Sequence, residues 1–238
     1  RIEGDVTGAT GAFVIETVFG GAGTRSILSA VTITGNVTVD AGTQVVNQFT
    51  VARTLTATGN FVNNGTLSSS SATFTIAVAG NVTNNGTWQN GVTNLTGAGG
   101  TIALNAGSVT ATGLNVNGDR TLATADAPAG GTWTVAAGVT LTVAAPAFTQ
   151  TGTVTNDGSF TSAGTVNLNG NAGGAGTYAI GALVFGGGNQ SIAGTYNVTT
   201  AAFAGSGTKS VDTTTITGAV AVNAGVTVAN PFTVARTL

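Results

Sequence analysis

Hydrophobic and polar residues alternate with a period of two along much of this chain. In TWTVAAGVTLTV (132–143), Trp133, Val135 and Leu141 share one face, and threonines occupy the other. This alternation is typical of a strand with one buried face. No segment shows the i, i+3, i+4 spacing of an amphipathic helix, and apart from alanine the residues that favour helices are scarce. We therefore predict an all-β fold.

Two kinds of corner separate the predicted strands. The first reads apolar residue, then Asp, Asn or Ala, then Ala-Gly, and its glycines are Gly42, Gly107, Gly138 and Gly225. Glycine takes the left-handed backbone conformation easily, which tight corners often require. The second corner is Asn-Asn-Gly-Thr, with the asparagines Asn63, Asn64, Asn84 and Asn85. When such corners stack, their amides form hydrogen-bonded ladders between neighbouring coils.

Glycines at the starts of predicted strands recur at intervals averaging about 23 residues, within the range of solenoid repeats. They are Gly35, Gly59, Gly80, Gly100, Gly131, Gly152, Gly176, Gly194 and Gly218. We therefore predict a parallel β-helix (β-solenoid) of about nine to ten coils of roughly 23 residues. At about 4.8 Å per coil, the rod would be on the order of 45 Å long. Because Asn-Gly between apolar strands is also a hairpin signal, a meander of antiparallel hairpins is the alternative.

A long internal repeat spans this solenoid, which we assign as a single domain over residues 1–238. Residues 19–55 match residues 203–238, and the two segments that end in TVARTL begin at Ile33 and Ile216, 183 positions apart. Natural solenoids cap or continue their terminal coils, and neither terminus of this sequence has a charged or helical cap. We therefore expect continuation of the chain beyond Leu238, or end-to-end association of copies.

Composition narrows the class of protein further. Charged residues make up 6% of the chain, against roughly 25% in typical domains. A hydrophobic content of 42% with so few charges is unlike a disordered chain. The net charge of −2 gives no basis for binding nucleic acid, and no apolar run approaches the roughly 20 residues that span a bilayer. Cysteine and histidine are absent, so we expect no disulfide, thiol chemistry, metal or cofactor.

The phrases FGGGNQSIAGTYNVTTAAF (185–203) and FAGSGTKSVDTTTITGAVAVNAGVTV (203–228) occupy the second half of the chain. They resemble repeats of large secreted bacterial surface proteins, namely filamentous-haemagglutinin-like and autotransporter-passenger-like β-helices. The resemblance implies an adhesin, fibre, matrix or surface-coat component outside the cell, and it carries over no functional residue. We therefore expect a non-catalytic structural or adhesive segment. Its expected partners are other copies of itself, adjacent repeats of a longer chain, and surface glycans.

Parallel β-helices also include polysaccharide lyases and hydrolases, so the eight acidic residues are candidates for catalysis. Hydrolysis of a glycosidic bond uses two carboxylates about 5 to 9.5 Å apart. Only Asp119 and Asp126 lie close in sequence, with Arg120 beside them, and a loop salt bridge is the simpler interpretation. Asp40 is replaced by Asn223 in the repeat. We predict no enzymatic activity, and a polysaccharide-binding or -cleaving β-helix is the alternative.

Two tryptophans and two arginines are candidates for contacts with partners. Trp88 and Trp133 are the candidates for stacking on a sugar ring. In the recurring FTVARTL, a period of two places Arg53 and Arg236 on the inward side of a strand, where an unpaired charge is strongly unfavourable. A corner near Ala52 that turns the arginine outward is the preferred interpretation. A contact with carbonyls or a carboxylate of an adjacent module is the alternative.

Thr-x-Thr segments suggest a third function, because flat rows of threonine on a solenoid can order water. Their first residues are Thr32, Thr56, Thr73, Thr110 and Thr132. The intervals between these starting positions are too irregular for one flat array. Ice binding is therefore the least favoured of the three functions.

Overall fold

The computed structural model is a three-sided β-solenoid of about ten turns. It describes residues 1–6, 12–13, 16–69, 74–105, 113–125 and 129–230, and residues 12–13 by their backbone alone. Strands in these ranges pair in parallel, each with the equivalent strand one coil away, and the same ranges contain no helix. The predicted all-β parallel solenoid is confirmed, and the antiparallel meander is excluded.

The described residues form 26 strands, numbered in chain order. The first nine are β1 (Ala12–Phe13), β2 (Thr17–Phe19), β3 (Gly23–Ser26), β4 (Val31–Ile33), β5 (Val37–Val39), β6 (Thr43–Asn47), β7 (Arg53–Ala57), β8 (Phe61–Asn63) and β9 (Thr66–Ser69). The next nine are β10 (Phe74–Val78), β11 (Val82–Asn84), β12 (Thr87–Gln89), β13 (Val92–Leu95), β14 (Gly100–Leu104), β15 (Gly113–Val116), β16 (Arg120–Ala125), β17 (Thr132–Val135) and β18 (Thr140–Val143). The last eight are β19 (Ala147–Gln150), β20 (Val154–Asn156), β21 (Ser159–Leu168), β22 (Ala172–Gly173), β23 (Thr177–Phe185), β24 (Gln190–Phe203), β25 (Gly207–Val222) and β26 (Val226–Ala229).

Each coil runs through three faces, here named A, B and C in chain order. Strands β4, β5 and β6 are faces A, B and C of one coil, and they pair with β7, β8 and β9 of the next. Toward the C-terminus single strands continue around the corners, so that β24 and β25 each cover all three faces. Register shifts between Ile192 and Gly194 and between Asn197 and Thr200 mark the two bends of β24.

The length of chain per coil varies along the rod. Thr75 pairs with Val92 in the next coil, whereas Thr32 pairs with the more distant Thr56. Both corners and strands contribute to this variation: the corner between faces C and A spans residues 48–52 in the longer coil and residues 90–91 in the shorter one, and β12 is shorter than β6. Coil length therefore decides on which face a given sequence falls.

The two copies of the internal repeat occupy different faces as a result. Val37 lies on face B and pairs with Phe61, whereas its counterpart Val220 lies on face C and pairs with Ala201. Counted along face A, the second copy lies nine coils and one further face beyond the first. The repeat is thus rotated by one face around the rod axis.

Aromatic side chains stack inside the rod along its axis. The rings of Tyr178 and Tyr196 lie 4.6 Å apart at 17°, and those of Phe185 and Phe203 lie 5.3 Å apart at 17°. Phe160 continues the tyrosine stack at 5.7 Å from Tyr178. All five side chains are fully buried. Ring pairs of this kind add about 0.5–1.5 kcal/mol each beyond the burial of apolar area, which stabilises the register of the coils.

Candidate functional site

The Ala-Gly corners are hydrogen-bonded turns with glycine in the left-handed conformation. The φ angles of Gly42, Gly138 and Gly225 are 78°, 75° and 81°. In the first of these turns the backbone N–H of Thr43 donates to the carbonyl of Asp40 at 3.1 Å, and equivalent bonds close the other two. A positive φ at the third residue is what a type II turn requires. Gly107 lies outside the described residues.

The Asn-Asn-Gly corners carry an inner and an outer amide ladder. The inner pair is fully buried, and Asn63 Nδ2 donates to Asn84 Oδ1 at 2.8 Å. The outer ladder is solvent-accessible: Asn85 Nδ2 donates to Asn64 Oδ1 at 2.8 Å, and Asn105 Nδ2 donates to Asn85 Oδ1 at 2.9 Å. Adjacent asparagines at one corner thus link the coils from inside and from outside.

Corner asparagines and aspartates share a second role, because each side-chain oxygen accepts a backbone N–H of the next coil. Asn60 Oδ1 accepts the N–H of Asn81, and Asn81 Oδ1 accepts that of Thr101. Asp119 and Asp157 make the same bond at 2.7 and 3.0 Å, to Thr140 and Ala175 respectively. These two carboxylates therefore perform the same linking role that asparagine performs at other corners.

Three basic residues are buried and bind backbone carbonyls at glycine-containing corners. Arg25 Nη2 donates to the carbonyl of Gly20 at 2.8 Å, and Arg120 Nη2 donates to that of Ala79 at 2.9 Å. Lys209 Nζ donates to the carbonyls of residues 187 and 188. Burial lowers the pKa of Arg120 and of Lys209 below their ordinary values. The expected loop salt bridge between Arg120 and Asp119 is therefore wrong. The guanidinium points inward to backbone carbonyls, and the Asp119 carboxylate accepts the backbone N–H of Thr140 instead. Asp126, the other expected partner, lies outside the described residues.

These buried cations were not predicted from the sequence, although a signal for two of them is present there. Arg25 and Lys209 are aligned in the repeat phrases FGGAGTRS and FAGSGTKS, where each follows a glycine-rich corner. Carbonyl groups that converge at such a corner offer a positive side chain several acceptors at once, which compensates part of its desolvation. Gln190 serves the same purpose one coil below Lys209, with Nε2 donating to the carbonyl of Leu168 at 2.8 Å.

The two tryptophans are part of the core. Trp88 is 2% exposed and Trp133 is 1% exposed. The Trp88 ring packs 5.3 Å from that of Phe61 and its Nε1 donates to Thr93 Oγ1 at 3.0 Å, while the Trp133 ring packs 5.2 Å from that of Phe148. The expectation that the two rings stack on a sugar is wrong, because both rings are buried and point inward with the apolar row of their strands.

Arg53 lies at the start of β7, directly after a corner that ends at Ala52. Its side chain shares the inward row with Leu55 but is only half-buried, and its guanidinium carbon lies 5.9 Å above the ring of Phe49. Phe49 and Val51 are 41% and 58% exposed. The arginine head group therefore lies at the corner beside an exposed aromatic ring, while its Nε remains buried. Arg236 lies outside the described residues.

Within the described ranges no three acidic side chains gather into a group that could hold a metal ion. The ion pairs found there join Arg1 to Glu3 and to Asp40. The same ranges contain no helix of the length and hydrophobicity needed to cross a membrane. Comparisons with protein-family models, with curated proteins and with solved structures find no significant match.

Proposed function

We propose that the chain is a non-catalytic structural segment of an extracellular or cell-surface fibre, filament or coat, which assembles by stacking of solenoid coils. The uninterrupted parallel pairing along the rod supports a mechanical role. Adhesion and a bacterial surface location rest on the resemblance of residues 185–228 to secreted β-helix repeats. The buried positions of both tryptophans favour this function over polysaccharide binding.

The parallel pairing of each described coil with the next carries the proposal, and one valine pair shows how much apolar surface a stacked coil covers. Val37 and Val39 are fully buried in the first copy of the repeat, where the following coil stacks on β5. Their counterparts Val220 and Val222 are 41% and 54% exposed. The same apolar sequence thus has a covered and an uncovered copy. A coil stacked on residues 219–222, from the same chain or from another copy, would bury this surface.

Analytical ultracentrifugation and negative-stain electron microscopy test the proposal. We expect single rods of about 50 Å at low concentration and longer rods, joined end to end, as the concentration rises. Val222→Asp places a charge in the end surface and should keep the rods single. Val184→Asp is the matched control, because Val184 points outward from the side of the rod on face C.

The two variants also separate the modes of assembly. End-to-end stacking predicts that Val222→Asp abolishes elongation while Val184→Asp leaves it unchanged. Lateral association predicts instead that Val184→Asp prevents assembly while Val222→Asp leaves it unchanged. Wild-type protein that stays a single rod at every concentration contradicts the proposed function.

A further inference from the structure

Face B carries a regular two-column array of small polar side chains in five successive coils. We call this array the hydroxyl lattice. Its first column is Thr140, Ser159, Thr177, Thr195 and Thr215. Its second column is Thr142, Thr161, Ala179, Asn197 and Thr217. Eight of these ten positions are hydroxyl side chains that point outward.

The lattice has constant register. The shifts in the neighbouring strands fall at corners, and none interrupts the pairing of residues 140–142 through 215–217 on this face. Neighbours in a column are therefore about 4.8 Å apart, and the two columns are about 6.6 Å apart. Thr161 Oγ1 donates to Thr142 Oγ1 at 3.1 Å, which orients these two hydroxyls.

The core behind the lattice makes it rigid. The inward residue between the two columns is Leu141, Phe160, Tyr178, Tyr196 and Ile216 in successive coils. The first four are fully buried, and the rings of the middle three stack on one another. Tyr178 and Tyr196 each donate their hydroxyl to a backbone carbonyl, at 2.8 and 2.9 Å. The face is therefore held in one arrangement before any ligand arrives.

The chemistry of the lattice selects its ligand. None of its ten side chains is charged or aromatic, so it offers no counter-charge to an ionic ligand and no stacking platform to a sugar ring. It fits a neutral surface that presents hydrogen-bonding groups at regular spacing in two dimensions. Ordering a water molecule from the liquid at a binding surface costs up to about 2 kcal/mol. Water molecules in ice are already ordered, so binding them avoids this cost. A rigid hydroxyl lattice therefore binds ice without ordering each water anew.

We propose that the hydroxyl lattice on face B is an ice-binding surface. In the sequence, the irregular spacing of the Thr-x-Thr segments argued against ice binding. Those at Thr32, Thr56 and Thr132 lie on face A rather than in the lattice, and those at Thr73 and Thr110 begin outside the described residues. Serine, alanine and asparagine hide the periodicity on face B, where the intervals between successive members also differ slightly. The inference is independent of the proposed fibre function, since it concerns the side of the rod.

Slow growth of ice from a solution of the full chain tests the proposal. We expect wild-type protein to be enriched in the ice fraction. Thr161→Lys places a long charged side chain at the centre of the lattice and should lower that enrichment by roughly tenfold or more, the equivalent of about 1.4 kcal/mol. Thr155→Lys is the matched control: Thr155 is half-buried and outward-facing in the same coil, on face A, and its substitution should leave the enrichment unchanged.

Circular dichroism and thermal unfolding verify that the variants remain folded. Should Thr161→Lys fail to fold, Thr195→Lys replaces it, because Thr195 is more exposed in the same lattice. Wild-type protein excluded from ice overturns the proposal, as does an equal loss in the face A control. Binding to insoluble cellulose or chitin without incorporation into ice overturns it in favour of a polysaccharide surface. Rod elongation measured on the same samples is scored separately, so the two proposals fail independently.

Discussion

Replacing Asn84 by alanine tests whether the inner amide ladder holds neighbouring coils together. Asn84 is fully buried. Its Oδ1 accepts from Asn63 Nδ2 at 2.8 Å, and its Nδ2 donates to the carbonyl of Gly86 at 3.0 Å. Each such hydrogen bond contributes about 0.5–1.5 kcal/mol, and a buried group left without its partner costs about 1–3 kcal/mol. We expect Asn84→Ala to lower the free energy of unfolding by about 2–4 kcal/mol.

Asn85→Ala is the matched control on the same corner. Asn85 also makes two amide–amide hydrogen bonds, with Asn64 and Asn105, but it is exposed and water replaces the lost partners. We expect a loss of no more than about 0.5 kcal/mol, as for ordinary surface substitutions.

Guanidinium unfolding and amide hydrogen exchange measure the difference between the two variants. A solenoid can open locally, so exchange at the corner is the sharper readout. The backbone N–H of Asn105 donates to the carbonyl of Asn84 at 3.0 Å and reports the corner directly. Its protection should fall about tenfold for each 1.4 kcal/mol in the Asn84 variant. Equal losses in the two variants, or a larger loss in Asn85→Ala, would refute the assignment of an inner and an outer ladder.

Three more predictions concern the corners and the core. Gly86→Ala should destabilise the rod more than Gly138→Ala, because a Cβ at Gly86 collides with a backbone carbonyl of the coil below. A Cβ at Gly138 meets no atom and costs only the left-handed backbone strain of about 1–2 kcal/mol. Equal losses of stability in chemical unfolding would contradict this. Burial raises the pKa of Tyr178 and Tyr196, the chain's two tyrosines, so ultraviolet titration of native protein should show no phenolate near pH 10, and stability should fall above that pH as the unfolded chain ionises. Burial lowers the pKa of Lys209 from 10.5, so the unfolded state binds the proton more tightly than the folded state. The free energy of unfolding, measured relative to Lys209→Gln, should therefore rise with pH toward 10.5. A difference between the two proteins that does not change with pH would show that the amine is solvated.

The fold class and the chemistry of the corners could be predicted from the sequence, because both depend on local rules. A period of two in apolar residues requires strands, and a positive φ at Gly42, Gly138 and Gly225 is a property of β-turns. The pairing of Asn63 with Asn84 likewise follows from stacking of similar corners. These features need no knowledge of distant contacts.

The inward or outward direction of a side chain, and the face that each segment occupies, depend instead on the three-dimensional path of the chain. A tryptophan such as Trp88 can bind a sugar or pack in a core, and residue type alone does not distinguish the two roles. Its buried position inside the coil excludes sugar binding. The hydroxyl lattice also became visible only once the register aligned Thr140 with Ser159 and with their equivalents in each later coil.

The rotation of the internal repeat has the same physical cause. Coils differ in length because their corners and strands do, and these differences accumulate along the rod. Between the two copies they shift the repeated phrase from face B to face C, so that Val37 is buried between two coils, whereas Val220 lies in the last described strand of face C and is exposed. Local sequence sets the strands and turns, whereas the summed length of all the coils sets the face.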